Sequence, residues 1–230
     1  MKRFYANAGV EERDGGFAVL LDGRPIRTPA GAPLVVPTRP LAQTIAAEWA
    51  AQGETVQPAT MPAMQLASTA IDRVATQREA IIAELMRYAE TDLLCYQADN
   101  PAELVSRQAA VWQPVVDWAM LRFDAGLRVT TGILPVAQSA DALAALRRAV
   151  ETYDDWRLCA VQSATAACGS LLLALAVAER RLSGEQAYEA SQLDELFQTE
   201  LWGEDAEAAQ RRAILRKDVL AVEAFLAAMG

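Results

Sequence analysis

Histidine is absent from this chain of 230 residues. With it go the commonest general base, the commonest metal ligand, the Ser-His-Asp and Cys-His nucleophile arrangements and the helix-borne zinc pair of metalloproteases. Lysine occurs only at Lys2 and Lys217, neither after a glycine, so a phosphate-cradling Walker loop is excluded. No Gly-x-Gly occurs, which removes the dinucleotide fingerprint. The cysteines, Cys95, Cys159 and Cys168, are odd in number, sit in apolar helical text and lack metal spacing. They read as buried free thiols of a reducing compartment. Carboxylate pairs are left as the available catalytic chemistry, but acids scattered through helices are ordinarily surface charge. The chain reads as a binding protein, with no catalytic site and no cofactor.

Aromatic residues make up 7% and β-branched ones are sparse, so strands should be few. What is plentiful is alanine and leucine, both helix formers. Hydrophobic residues reach 53% and charged ones 22%, which is globular composition. The net charge of -9 argues against an electrostatic grip on nucleic acid or on an anionic membrane. Residues 1–60 balance six acids against six bases, so the excess lies beyond them, and it is densest from Glu185 to Glu207, with eight acids and no base. Such a run reads either as a solvated helix face or as a docking surface for a basic partner.

The N-terminus lacks the apolar core of a signal peptide and the basic, Ser-rich character of a transit peptide. Leu158 to Ala178 carries no charge over about the 20 residues that a spanning helix needs. Four polar residues and many small ones interrupt it, so it reads as a helix buried in a bundle, with no membrane insertion.

The pattern predicts an α+β fold: a small antiparallel sheet with a helix over residues 1–75, then a larger all-helical domain over 76–230. Phe17–Leu21 followed by Asp22-Gly23 is a hairpin signal; Arg24–Arg27 is the return strand and Leu34–Val36 a third strand. Thr38 caps a helix running to about Gln52, with Leu41, Ile45 and Trp49 on one face. Helices follow over Gln77–Tyr96, from Asn100-Pro101 onward with a break expected at Pro114, from Ser139 or Asp141 to Tyr153, and through the long apolar stretch. Residues 125–138 read as loop, extended around Leu127–Ile133. Ser183 with Gln186 opens another helix by a capping box; it ends at Trp202-Gly203, and a last helix runs from Glu204 to Met229.

Projected at 100° per residue as one helix, Glu185–Trp202 places Leu193, Leu196, Phe197 and Leu201 on one face. Glu189 and Glu200 fall on that same face, so each must be paired with arginine or lie at an accessible groove. Tyr188, Glu195 and Trp202 align on the opposite face, two aromatics expected exposed on either side of an acid. That stripe is either a protein-binding surface or a face buried on both sides.

The segments LDGRPIRTPA (22–31), EWAAQGETVQPATMPAMQLASTAID (48–72), YAETDLLCYQADNPAELVSRQAAVWQPVVDW (88–118) and GSLLLALAVAERRLSGEQAYEASQLDELFQTELWGED (169–205) stand in order along the chain. Together they resemble the assembly chaperones that bind the free alpha subunit of the F-type ATP synthase head. The resemblance implies a small α+β domain before a helical one, no catalysis, and protection of an unassembled subunit from aggregation until beta replaces the chaperone. It further implies a bacterial cytoplasmic protein, monomeric when free, with the alpha subunit as partner. One acid of the L-D-E/W-G block is associated with chaperone function in the family; Asp194, Glu195 and Glu200 all lie in that block. Glu48-Trp49 is the other recurrent element, read either as packing of helix on sheet or as client contact. The rival readings are a carrier or enzyme for a small apolar metabolite with a pocket in the bundle, and a subunit that stays in its complex.

Overall fold

The computed structural model describes residues 1–132 and 134–230. The chain forms two compact units, and neither is one stretch of chain. The first comprises Met1–Arg78, Asp155–Ala160 and Ala224–Gly230; the second comprises Glu79–Asp154 and Val161–Glu223.

The first unit begins with an antiparallel hairpin of β1 (Ala8–Arg13) and β2 (Gly16–Leu21). The turn Asp22-Gly23, with φ of 47° and 78°, leads to β3 (Arg24–Pro25). Positive φ at both central residues matches the right-handed twist of the flanking strands, as the Asp-Gly pair predicts. Asp22 also ties the turn to the incoming chain, because its carboxylate accepts from the amides of Ala6 and Asn7. Those backbone donors hold its pKa below the usual carboxylate value. Strand β4 (Val35–Val36) pairs with Phe17 and Ala18 of β2, whereas β3 pairs with Leu20 and Leu21. The two short strands therefore follow one another along one side of β2, and β1 takes the other.

Helix α1 (Arg39–Ala50) lies against β1 and β2 through buried Leu41, Ala42, Ile45, Ala46 and Trp49. Thr38 caps it, its hydroxyl accepting from the Leu41 amide at 3.3 Å, with Pro40 in the first turn. Then come α2 (Pro62–Thr69), a wide π turn over Ala70–Val74, and the opening of α3 (Ala75–Glu90), whose residues from Glu79 belong to the second unit. Two distant segments complete this unit. The Thr38 hydroxyl donates to the carbonyl of Ala228 at 2.6 Å, Arg157 donates to the carbonyl of Gly230 at 2.9 Å, and the Cys159 thiol faces the carbonyl of Leu66 at 3.4 Å.

Among its described residues the second unit's regular structure is helical apart from one short parallel pair, β5 (Tyr96–Gln97) with β6 (Thr130–Thr131). Strand β6 is the extended part of the 125–138 loop; Ile133, also expected there, lies outside the described residues. Between them α4 (Ala102–Val111) and α5 (Gln113–Phe123) meet at Trp112, with Pro114 in the first turn of α5. The break expected from Pro114 is there, two residues before the proline, which leaves Pro114 in a first turn where its missing N–H costs nothing. Helix α6 (Ala140–Glu151) precedes α7 (Asp155–Cys168) and α8 (Leu171–Ala178).

The uncharged stretch 158–178 is thus two helices where one was expected. Gly169 adopts φ of 66°, and the Ser170 hydroxyl accepts from the Leu173 amide to start α8. No helix among the described residues is long and apolar enough to cross a membrane. The expected helix through Tyr96 also stops early, at Glu90. Asp92 accepts from the Leu94 amide and begins a short 3-10 turn over Leu93–Cys95. The unit closes with α9 (Gly184–Ser191), α10 (Leu193–Trp202) and α11 (Ala206–Met229), of which α11 contributes residues up to Glu223 here.

Candidate functional site

The acid-rich stretch is not one helix. Ser183 and Gln186 form the reciprocal capping box that their spacing predicts, but α9 ends at Gln192, whose ψ of 10° starts α10 on a new course. A break of this kind frees the Ala190 carbonyl, which in a continuous helix would bond four residues on. The indole N–H of Trp112 donates to it at 2.8 Å. The single 100° projection therefore fails at Gln192, and two of its consequences fail with it. Tyr188 is buried, not exposed, and burial raises its hydroxyl's pKa, with Arg212 and Arg216 opposing. Leu201 is 57% exposed where the projection buried it with Leu193, Leu196 and Phe197, because Glu200, Leu201 and Trp202 all stand in an exposed final turn.

The acids of α9 and α10 are mostly engaged. Asp194 accepts from the side-chain amide of Gln108 at 2.7 Å; Gln108 is buried, and its carbonyl oxygen accepts from the Ala98 amide at 2.7 Å. Asp194 therefore orients a buried glutamine that holds the chain entering α4. Glu200 meets Arg107 at 2.8 Å, and the same guanidinium meets Glu103 at 2.7 Å and lies 5.1 Å from the Phe197 ring centre. Glu195 faces α11, with Arg211 at 2.9 Å and Arg212 at 3.7 Å. Arg212 is buried and is anchored by Glu204 at 2.7 Å, while Arg216 meets Glu185 at 2.7 Å. Glu189 and Glu200 were each expected to meet an arginine or lie at a groove; Glu200 pairs with Arg107 of α4, while the last helix serves Glu185, Glu195 and Glu204. Glu189 stays exposed on the rim of a groove.

That groove, about 480 Å³, opens among α4, α5, α9 and α10. Val111, Pro114, Val115, Leu182 and Leu193 give it an apolar lining, and Arg107, Arg181, Glu189 and Glu200 bring charges of both signs. At the end of α10, Trp202 is 78% exposed. Arg181, Leu182 and the α4–α5 residues carried no local signal in the sequence, since the groove joins positions some seventy residues apart.

In the first unit Glu48 and Trp49 have structural work. The Glu48 carboxylate accepts from the amides of Ala63 and Met64 at 2.7 and 2.9 Å, filling orphan donors at the start of α2. Trp49 is buried edge-on against Tyr5, ring centres 5.5 Å apart, and the Tyr5 hydroxyl donates to the Trp49 carbonyl at 2.7 Å. Glu48→Ala should lower stability by about 1 kcal/mol in urea unfolding, the usual scale for a lost helix cap.

The chemistry of reactive groups is muted. Burial pushes each of the three thiols up to about 12, so none offers a thiolate near neutral pH. Among the described residues no cluster of three His, Cys, Asp or Glu could hold a metal ion.

Comparison with known proteins gives the chain its relatives. Residues 2–120 match the profile of the ATP12 chaperone protein family. The mitochondrial protein atp12 of Schizosaccharomyces pombe is 27% identical over 239 residues, covering 98% of this chain and 81% of the relative. Atp12 from Paracoccus denitrificans, known from a crystal structure, is 42% identical, covers 100% of this chain and 98% of its own, and superposes with a TM-score of 0.94. The Atu1473 protein of Agrobacterium tumefaciens superposes at 0.95 with 41% identity, covering 100% of this chain and 86% of its own. With half the chain under the family profile and the whole fold shared with Atp12, the chain belongs to the ATP12 family of chaperones, which serve ATP synthase assembly.

Proposed function

We propose that this protein binds the alpha subunit of the F-type ATP synthase before alpha meets beta, and keeps it from aggregating. The observation that carries the reading is the end of α10, where Leu201 and Trp202 stand exposed beside an open apolar groove rimmed by charge. A lone subunit displays the apolar surface by which it will later be held, and that surface is an aggregation hazard. A chaperone that covers it with an aromatic anchor and an apolar trough lowers the free concentration of sticky subunit, then loses to the larger interface of the true partner. Binding of this kind needs no reactive group and no cofactor. We place the activity in a bacterial cytoplasm, carried out by a monomer.

The test is light scattering of isolated alpha subunit diluted from denaturant with an equimolar amount of this protein. Trp202→Ala should leave the melting temperature unchanged, since its ring lies in solvent, yet weaken protection as a binding hot spot would, by about 2 kcal/mol or some thirtyfold in affinity. Equal protection by wild type and Trp202→Ala would remove this surface from consideration. Glu195→Lys, the obvious charge reversal, is a poor probe of docking alone. It would set a third cation against Arg211 and Arg212, so it disturbs the α10–α11 contact as well.

A further inference from the structure

We propose a second recognition site in the first unit: a methionine-lined slot that takes an extended peptide segment presenting an apolar side chain next to a carboxylate. The slot, about 590 Å³, is walled by Met61, Met64, Gln65 and Ser68 of α2 and its entry, with Trp49, Val56, Pro58 and Arg27 among its other residues. Positions 61, 64, 65 and 68 share one helical face, so α2 presents an unbroken wall. Methionine adapts its shape to irregular apolar groups, which suits a site for varied side chains.

What separates this slot from a passive dent is charge. Arg27 is the charged side chain of the lining and no carboxylate accompanies it, in a protein whose net charge is -9. Arg27 is exposed and spends one N–H on the Gly31 carbonyl at 2.7 Å, leaving its other donors to meet an acidic group. The chemistry thus selects an apolar-acidic segment, of the kind an unassembled chain leaves uncovered. The idea rests on the chaperone reading for its biological meaning, but not for its test.

The test uses the full chain and two fluorescein-labelled, terminally blocked peptides, Ala-Gly-Leu-Glu-Gly-Ala and its Glu-to-Lys counterpart, followed by anisotropy. Wild type should bind the acidic peptide at least tenfold more tightly than the lysine peptide. Arg27→Glu should reverse that order, and Met64→Lys should abolish both, with melting temperatures confirming that each variant folds. Equal binding of the two peptides, or an order unchanged by Arg27→Glu, would overturn the proposal. So would sedimentation showing a wild-type dimer that Arg27→Glu dissociates, since the occupant would then be a second copy of the chain. Failure of wild type to protect isolated alpha subunit would count against the alpha-binding reading alone, because the peptide measurement does not involve that subunit.

Discussion

Replacing Trp112 by alanine should destabilise the second unit by about 3–5 kcal/mol, the scale of removing a fully buried large aromatic. The side chain is 1% exposed and is among the largest fully buried ones in the protein. Its loss opens a cavity at the α4–α5 junction and strips the Ala190 carbonyl of its donor at the α9–α10 break. Trp112→Phe separates the two effects. The phenyl ring fills most of the space but has no N–H, so the cost should fall to about 1–2 kcal/mol. Urea unfolding followed by fluorescence of the remaining tryptophans reads both numbers. A phenylalanine variant as unstable as the alanine one would show that the carbonyl, not the cavity, carries the effect.

The second large effect concerns pH. Asp92 is fully buried, and desolvation pushes its pKa up from 3.8 to about 6, against hydrogen bonds from the Leu172 amide, the Ser170 hydroxyl and the Leu94 amide. A carboxyl that holds its proton more tightly when folded favours the fold at low pH. Its contribution is complete below about pH 4 and is lost as pH rises to about 6; over that interval it amounts to roughly 3 kcal/mol. Asp92→Asn cannot ionise, so its stability should lack that decline. It should also start lower, because an amide cannot accept at both of the oxygen positions that now receive donors. The difference between wild type and Asp92→Asn, measured by denaturant unfolding at half-unit steps from pH 4 to 7, isolates this group from the surface acids. Parallel curves would mean that the carboxylate is already well accommodated.

The sequence conveyed the elements whose cause is local. Asp22-Gly23 specifies its own turn, Thr38 and Pro40 their own helix start, and Ser183 with Gln186 their own box, and each stands where the residues put it. Strand β1 was not legible, since its residues are half-buried or exposed and carry no apolar alternation; pairing with β2 alone makes it a strand. The breaks at Gly169 and Gln192 were missed because apolar periodicity runs through both. At Gly169-Ser170 the signal is local, a left-handed glycine and a hydroxyl cap masked by the apolar run, with a buried carboxylate gathering Ser170 and Leu172; at Gln192 what decides is remote, a carbonyl claimed by Trp112. The candidate site inherits this pattern. Its acids could be named from the sequence, but their arginine and glutamine partners lie on α4 and α11, and the groove exists only once those helices meet. The Tyr188–Glu195–Trp202 stripe was open between a docking surface and a buried face; Trp202 is exposed, while Tyr188, fourteen residues before it, is buried and parted from it by the break at Gln192.

The unit that carries the sheet begins to leave the ribosome before the second unit, yet cannot be finished until after it. Its helix α1 starts at Thr38, whose hydroxyl is bound to Ala228, and its interior includes Phe225, Leu226 and Met229. Until roughly two hundred further residues have been translated, those pieces do not exist. The nascent sheet must therefore wait, incomplete, while the second unit is made, and a ribosome that stalls before Ala224 would release a chaperone lacking the closing turns of the unit that carries its sheet.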